Sequence, residues 1–346
     1  METRHILLFQ DSRNLNNIDS ESVDLIVTSP PYPMIGMWDS LFSSLNSKIS
    51  NALEAGNSEL AFELMHKELE KVWVESYRVL KPGGLACIVI GDATRTVNRE
   101  FQMFPSHAKI TSYCLSLGFK ALPVIIWRKQ TNAPNKFMGS GMLPPGAYVT
   151  LEHEYILLFR KNGKRIFKTV KDVKNRGESA FFWEERNNWF SDIWIDLKGV
   201  KQNLNDSKLR GRSAAYPFEL AYRLINMFSV KNDTILDPFL GTGTTTIAAI
   251  ASQRNSIGVE LDTSFRNHLI KKILSAEDSL NTYIEERLRK HMDFTQQYVK
   301  TRGQLKYINR NYDFPVMTRQ EEKIILPVIK RILQTDSNTF IVEYLK

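Results

Sequence analysis

Residues 28–32 read Thr-Ser-Pro-Pro-Tyr and directly follow a short apolar run, Asp24-Leu25-Ile26-Val27. Two consecutive prolines end a strand, hold the backbone extended and leave carbonyl oxygens without ladder partners. An ordinary turn uses one proline with Gly or Asn, so Ser29-Pro30-Pro31-Tyr32 asks for more than turn chemistry. The Ser29 hydroxyl and the Pro30 carbonyl are neighbouring acceptors, suited to a group with two N–H bonds. An exocyclic amine on a nucleobase is such a group. Its lone pair is delocalised into the ring, and holding both N–H bonds favours a pyramidal nitrogen with that lone pair released. Tyr32 can stack on a base that has left its duplex. The plainer alternative is a structural Pro-Pro loop.

The second candidate is Asp237-Pro238-Phe239-Leu240-Gly241-Thr242-Gly243-Thr244-Thr245, between a predicted strand and a predicted helix. Glycines there let the backbone approach a ligand, and the helix start offers unpaired N–H groups. Glu260 ends the next strand, where a carboxylate can accept both hydroxyls of a ribose. A dinucleotide site would need a third glycine where Thr246 stands, and a P-loop would need a lysine that is absent. A phosphate-free nucleoside such as S-adenosylmethionine needs only the short turn and the acidic ribose ligand. Glycine turns of this length also occur with no ligand.

Around these turns the pattern alternates. Apolar runs Ile6–Phe9, 24–27, Leu85–Ile90, Val124–Trp127, Tyr155–Phe159, Thr234–Leu236 and Ser256–Val259 read as strands. Asn51–Leu80 and Thr246–Ala251 read as helices. Strands separated by helices predict a mainly parallel α/β sheet. The segment 161–212 breaks the rhythm: it is polar and carries aromatics between 181 and 194, expected to form a small core of an inserted module. Residues 271–346 read as a charged, helical extension. The expected divisions are 1–160, 161–212, 213–270 and 271–346.

The chain of 346 residues is 42% hydrophobic, enough for a sizeable core and too much for a disordered protein. No run approaches the ~20 apolar residues of a membrane span, and the first residues lack signal-peptide architecture. Cys87 and Cys114 lie in apolar contexts without metal-ligand spacing, so both are expected to be reduced core residues, with no metal site and a cytoplasmic location. The net charge is +8, and 161–212 holds 13 Lys/Arg against 7 Asp/Glu, a surplus of +6. A polyanion partner would meet such a segment. Lys161, Lys164, Arg165, Lys168, Lys171, Lys174 and Arg176 are its candidate phosphate contacts.

The two turns together resemble the amino-methyltransferases of DNA. The catalytic signature of that family, [DNS]-P-P-[YF], matches Ser29-Pro30-Pro31-Tyr32, and its cofactor signature, F-x-G-x-G, matches Phe239 to Gly243. Their order, catalytic first, is that of the family's β group, whose target-recognition region lies between them. The resemblance spans most of residues 5–265. It implies a Rossmann-like methyltransferase fold in circularly permuted order and S-adenosylmethionine as cofactor. The implied cofactor contacts include Asp11 near the adenine, and Tyr216-Pro217 (in Ala214-Ala215-Tyr216-Pro217) over the methionine part. The implied partner is double-stranded DNA, with a homodimer and a cognate restriction endonuclease admitted. Ser at the first motif position is typical of cytosine-N4 enzymes, Asp or Asn of adenine-N6 enzymes. Methylation at cytosine C5 would need a nucleophilic cysteine. Asp92, ending the strand expected beside that of Ser29, is a candidate to bond the Ser29 hydroxyl and remove the amine's proton; capping the next segment is the alternative. Trp38 and Trp127 are candidates for the base pocket or the core. Adenine N6, an RNA or protein side-chain substrate, and a DNA-binding protein with a decayed site stand as rival readings.

Overall fold

A computed structural model describes residues 1–129, 138–199 and 216–345. Among them runs an eleven-stranded sheet. Its strands are β1 (Glu2–Phe9), β2 (Val23–Thr28), β3 (Leu80–Ile90), β4 (Phe119–Ala121), β5 (Ile125–Arg128), β6 (His153–Lys161), β7 (Ile193–Trp194), β8 (Thr234–Asp237), β9 (Asn255–Glu260), β10 (Ile329–Gln334) and β11 (Thr339–Tyr344). The order is β7-β5-β6-β3-β2-β8-β9-β1-β11-β10, with β4 paired to β6. The helices used below are α1 (Ser58–Val79), α2 (Val170–Glu178), α3 (Trp183–Trp189), α4 (Phe218–Phe228), α5 (Thr244–Ala251), α6 (Arg266–Leu274) and α7 (Glu277–Arg302).

Five neighbouring strands, β3-β2-β8-β9-β1, are parallel. All six residues of β2 are buried, as expected of a central strand covered on both faces. Alternation along the strands divides the core: Leu25, Val27, Cys87 and Val89 join one apolar cluster, Ile26, Ala86, Ile88 and Ile90 the other. From β2 the chain moves outward through α1 to β3; from β8 it moves the opposite way through α5 to β9. The strand order therefore reverses between β2 and β8, and a crevice opens outside their carboxyl ends. The first strand, β1, stands beside β9, so the spatial order is a rotation of the chain order. This is an α/β Rossmann-like sheet in rotated chain order, as the resemblance implied. The helical stretch expected over 51–80 is two helices, Ser47–Glu54 and α1, broken between them; Asn57 caps α1 by accepting from the Leu60 N–H at 3.0 Å.

Two expectations are corrected. The C-terminal extension is α-helical only to Arg302, with one short 3-10 turn at Arg319–Lys323: β10 and β11 form an antiparallel hairpin, and β11 pairs with β1. Phe340, Val342 and Tyr344 alternate as buried residues, a period of two that fits a strand and covers an otherwise open sheet edge. The aromatics of 181–194 do not build a separate small core. Phe182, Trp189 and Trp194 belong to the main apolar cluster, together with Leu7, Tyr222 and Phe340. Trp127 is also core, with its indole N–H donating to the Leu197 carbonyl at 2.8 Å.

At the amino ends of the strands, the Lys231 ammonium is buried with no hydrogen-bond partner among the described residues. Burial lowers its pKa to about 7. The unfolded chain therefore binds the extra proton between pH 7 and its ordinary 10.5, and stability at this site rises with pH across that window. Below it, the buried charge carries its full cost. Lys231→Met keeps the volume and removes the charge. It should stabilise the fold by about 1–3 kcal/mol near pH 6 and flatten the rise toward alkaline pH, read from denaturant midpoints at several pH values.

Candidate active site

The two turns meet through one side chain. Asp237, at the end of β8, is 2% exposed. Its Oδ1 accepts from the Thr28 hydroxyl at 2.6 Å and from the Phe239 N–H at 3.0 Å. Its Oδ2 accepts from the Thr245 hydroxyl at 2.5 Å and from the Tyr216 hydroxyl at 3.4 Å. Burial pushes the carboxyl pKa up while these donors oppose it. Thr28 ends β2 directly before Ser29, so the pair stitches the Pro-Pro turn to the glycine turn across the point where strand order reverses.

Between them lies a cavity of about 460 Å³. One wall carries Ser29, Pro30, Pro31 and Trp38; the other carries Pro238, Phe239, Gly241, Thr242 and Thr244, with Glu260, Asp11 and Tyr216 at its ends. Gly241 has φ +53°, and a Cβ there would point into open space; Gly243, at φ +79°, precedes α5, where a Cβ would strike Leu269 at 2.6 Å. Both positions favour glycine. The partly buried Lys272 of α6 donates to the Thr242 carbonyl at 2.8 Å and so braces the same turn, its own pKa lowered by desolvation to about 8.

Glu260 is held from two sides, accepting from the Gly241 and Asp262 N–H groups at 2.8 Å each. Burial raises its pKa, against those two bonds. One backbone bond per oxygen leaves lone pairs for two hydroxyls. Asp11 lies on the cleft rim, where Arg13 donates to it through Nε and Nη2 at 2.9 and 2.6 Å. Burial would raise the Asp11 pKa, but Arg13 holds it below the ordinary value. Arg13 in turn reaches Glu68 of α1 at 2.5 Å. Neither Glu68 nor Lys272 had a local signal in the sequence, because each is brought by a helix from a distant segment. Pro217 caps α4, behind Tyr216; Ala214 and Ala215 fall outside the described residues.

Two expected roles, those of Asp92 and Tyr32, are corrected. Asp92 does not reach Ser29: its carboxylate accepts from the His107 N–H at 3.1 Å and lies 2.7 Å from His107 Nδ1, the capping alternative. Tyr32 does not offer an open stacking face. It is 8% exposed, and its hydroxyl accepts from Ser29 at 3.1 Å and donates to Glu154 at 2.9 Å. Cys87 and Cys114 are free and buried, their thiols pushed up by burial. Among the described residues, the set with donor atoms close enough for a metal is Glu184, His291 and Glu321, none of which lines the cleft.

The basic stretch sits at the wrong end of the sheet for the crevice. Lys161 ends β6, is buried, and pairs with Glu21 at 3.2 Å. Arg165 bonds Asp233 at 2.5 and 2.8 Å and lies 3.7 Å from Asp24, at the amino ends of β8 and β2. In α2, Asn175 donates to the Lys231 carbonyl, and Arg176 stacks on Phe167. Lys164, Lys168, Lys171 and Lys174 are exposed on this same stretch. The basic residues from 200 to 212 fall outside the described residues.

The comparisons with known proteins agree with this geometry. The family profile for N6/N4 DNA methylases matches residues 23–272. The chain belongs to that family. It is 52% identical over 341 residues to the type II methyltransferase M.MthZI of Methanothermobacter thermautotrophicus, covering 98% of this chain and 95% of that one. It is 50% identical over 282 residues to the type II methyltransferase M.MjaI of Methanocaldococcus jannaschii, covering 78% and 91%. A putative DNA modification methylase from Thermus thermophilus, solved with S-adenosyl-L-methionine, superposes with a TM-score of 0.60 at 34% identity, over 78% of this chain and 92% of that one. As a member of this family the chain is an S-adenosylmethionine-dependent amino-methyltransferase of DNA. The Gly241 turn, the Glu260 carboxylate and the apolar cleft between them fit that cofactor. Among the described residues, no helix is long and apolar enough to cross a membrane.

Two outcomes follow. Glu260→Ala should weaken S-adenosylmethionine binding by about 2 kcal/mol, measured by calorimetry on folded protein. Replacing Lys164, Lys168, Lys171 and Lys174 together by Ala should change the slope of log affinity against log salt by less than about one unit, because these charges lie at the far end of the strands; a fall of about four would restore them as phosphate contacts.

Proposed function

We propose that this methylase modifies N4 of cytosine in double-stranded DNA, acting on a base swung out of the helix, as the modification partner of a type II restriction system. The observation that carries the reading is the state of Ser29. Its hydroxyl proton is turned toward Tyr32, so its lone pairs are free to face the cleft as acceptors, next to the Pro30 carbonyl. The two acceptors can hold both N–H bonds of a base amine, and serine at the first position of the motif, where adenine-N6 enzymes of this family typically carry Asp or Asn, favours cytosine. The relatives named above are type II methyltransferases, which supports the restriction–modification setting and a cognate endonuclease.

S-adenosylmethionine supplies a methyl group on a sulfonium, already electrophilic enough for direct displacement. Glu260 and the glycine turn hold the nucleoside part, and Phe239 and Trp38 flank the cleft. Ser29 and Pro30 orient the amine so that its lone pair lies in line with the methyl. Positioning and fixed dipoles lower the barrier without a covalent intermediate. DNA reaches the crevice over the loops at the carboxyl ends of β3 and β5, where Arg99 and Arg128 are exposed and Lys129 is partly exposed.

The test is to incubate the protein with duplex DNA and labelled cofactor, digest to nucleosides and separate them. N4-methylcytosine is the expected product, and Ser29→Ala should lower the rate about a hundredfold. N6-methyladenine as the labelled product would replace this reading.

A further inference from the structure

Methylating an amine leaves a proton to be removed, and Asp92, committed to His107, does not take it from Ser29. The Ser29 hydroxyl leads elsewhere. It donates to the Tyr32 hydroxyl at 3.1 Å, which donates to Glu154 Oε2 at 2.9 Å, and the other Glu154 oxygen accepts from Lys129 Nζ at 2.9 Å. Glu154 stands on β6, one strand beyond β3, and reaches Tyr32 past Gly91, just after β3. A Cβ at Gly91 would lie 3.0 Å from the Tyr32 ring and 3.3 Å from Glu154 Cγ, so the glycine leaves room for this contact. The Glu154 side chain is 13% exposed and the Lys129 side chain 41%, which opens the far end of the chain to solvent while its near end faces the cleft. Between the cleft and the carboxylate both hydroxyls, Ser29 and Tyr32, donate outward, and Lys129 donates to the carboxylate from the far side.

We propose that Glu154 is a positioning residue and the terminal proton acceptor of the methyl transfer, acting on the amine through Tyr32 and Ser29. The inference rests on the amino-methylation proposed above. As the new N–C bond forms and the C–S bond breaks, the nitrogen becomes cationic and the sulfonium a neutral thioether. The N–H bond held by Ser29 then breaks toward the serine oxygen. The Ser29 proton passes to Tyr32, and the Tyr32 proton to Glu154. The amine ends neutral, the carboxylate ends as a carboxylic acid, and no electrons are exchanged with a third party. Because the shifts are concerted, neither a free alkoxide nor a free phenolate forms, and burial of Tyr32 is no obstacle. Between turnovers the acid loses its proton to water beside Lys129. The chain also has a static effect: an anion at its end keeps each hydroxyl oriented, so Ser29 meets the amine as an acceptor and not as a competing donor.

The test compares the full chain with Tyr32→Phe and Glu154→Gln. Phe keeps the buried ring and removes the relay oxygen; Gln keeps an acceptor for Tyr32 and cannot take the proton. Single-turnover methylation of duplex DNA is followed from mildly acid to alkaline pH, with cofactor affinity measured by calorimetry and DNA dependence by KM. Both variants should lose about a hundredfold in the single-turnover rate, with KM and cofactor affinity unchanged. The acid limb of the wild-type pH profile should vanish in Glu154→Gln. Wild-type rates in either variant, or a Glu154→Gln profile with the wild-type acid limb, overturn the relay. So does a loss confined to KM or cofactor affinity, which would mark Glu154 as structural. If the unaltered protein transfers no methyl to a base amine, the amino-methylation reading itself fails, and the relay with it, before any variant is compared.

Discussion

The buried Asp237 carboxylate is the interaction on which the site depends. A carboxylate removed from water is costly unless its oxygens are satisfied, and here the donors come from four places: the end of β2, the turn after β8, the first residues of α5, and Tyr216 before α4. Meeting that demand draws Thr28 to a residue 209 positions away. The Pro-Pro turn begins at the next residue and the glycine turn at the Asp itself, so satisfying one carboxylate places the two turns opposite each other across the cleft. The crevice between β2 and β8 gives the two turns somewhere to face, and the hydrogen bonds lock their relative position.

The direction of the parallel strands governs the rest. Loops at the carboxyl ends share the crevice; loops at the amino ends cannot reach it. Glu260, Asp11 and Ser29 are useful because each lies at or just past the carboxyl end of a parallel strand. Lys161 and Arg165 are excluded for the same reason, since β6 runs against its neighbour β3 and delivers them to the opposite end. There Arg165 offsets the buried negative charge of Asp233, where burial raises the carboxyl pKa and the guanidinium opposes it. At this place two of the basic residues, Lys161 and Arg165, pair with carboxylates at the amino ends of the strands. The same antiparallel β6 sets Glu154 at the cleft end, next to Tyr32.

Much of this was legible from residue types alone. Serine before two prolines, and a glycine turn followed by an acidic residue at the next strand's end, declare their chemistry because it depends on local backbone: fixed φ, free carbonyls, open N–H groups. Apolar runs bounded by turn residues located the parallel strands for a similar reason, since burial on both faces demands continuous apolar side chains. The alternation in 339–344 was present but short, and a charged helix in front of it masked a strand pairing that only the open edge of β1 made favourable.

By itself, then, the chain's order of residues determined the α/β class and the two turns, consequences of short-range geometry and composition, while the cofactor came from the resemblance those turns carry. The tertiary structure decided which charges face the crevice, that Asp92 serves His107, that Tyr32 is enclosed, and that Glu154 stands behind it. Those facts depend on strand direction and on contacts between residues dozens to hundreds of positions apart, such as Tyr32 with Glu154 across 122 residues. No local pattern encodes such a contact, because its energy arises only when the two segments have been packed side by side.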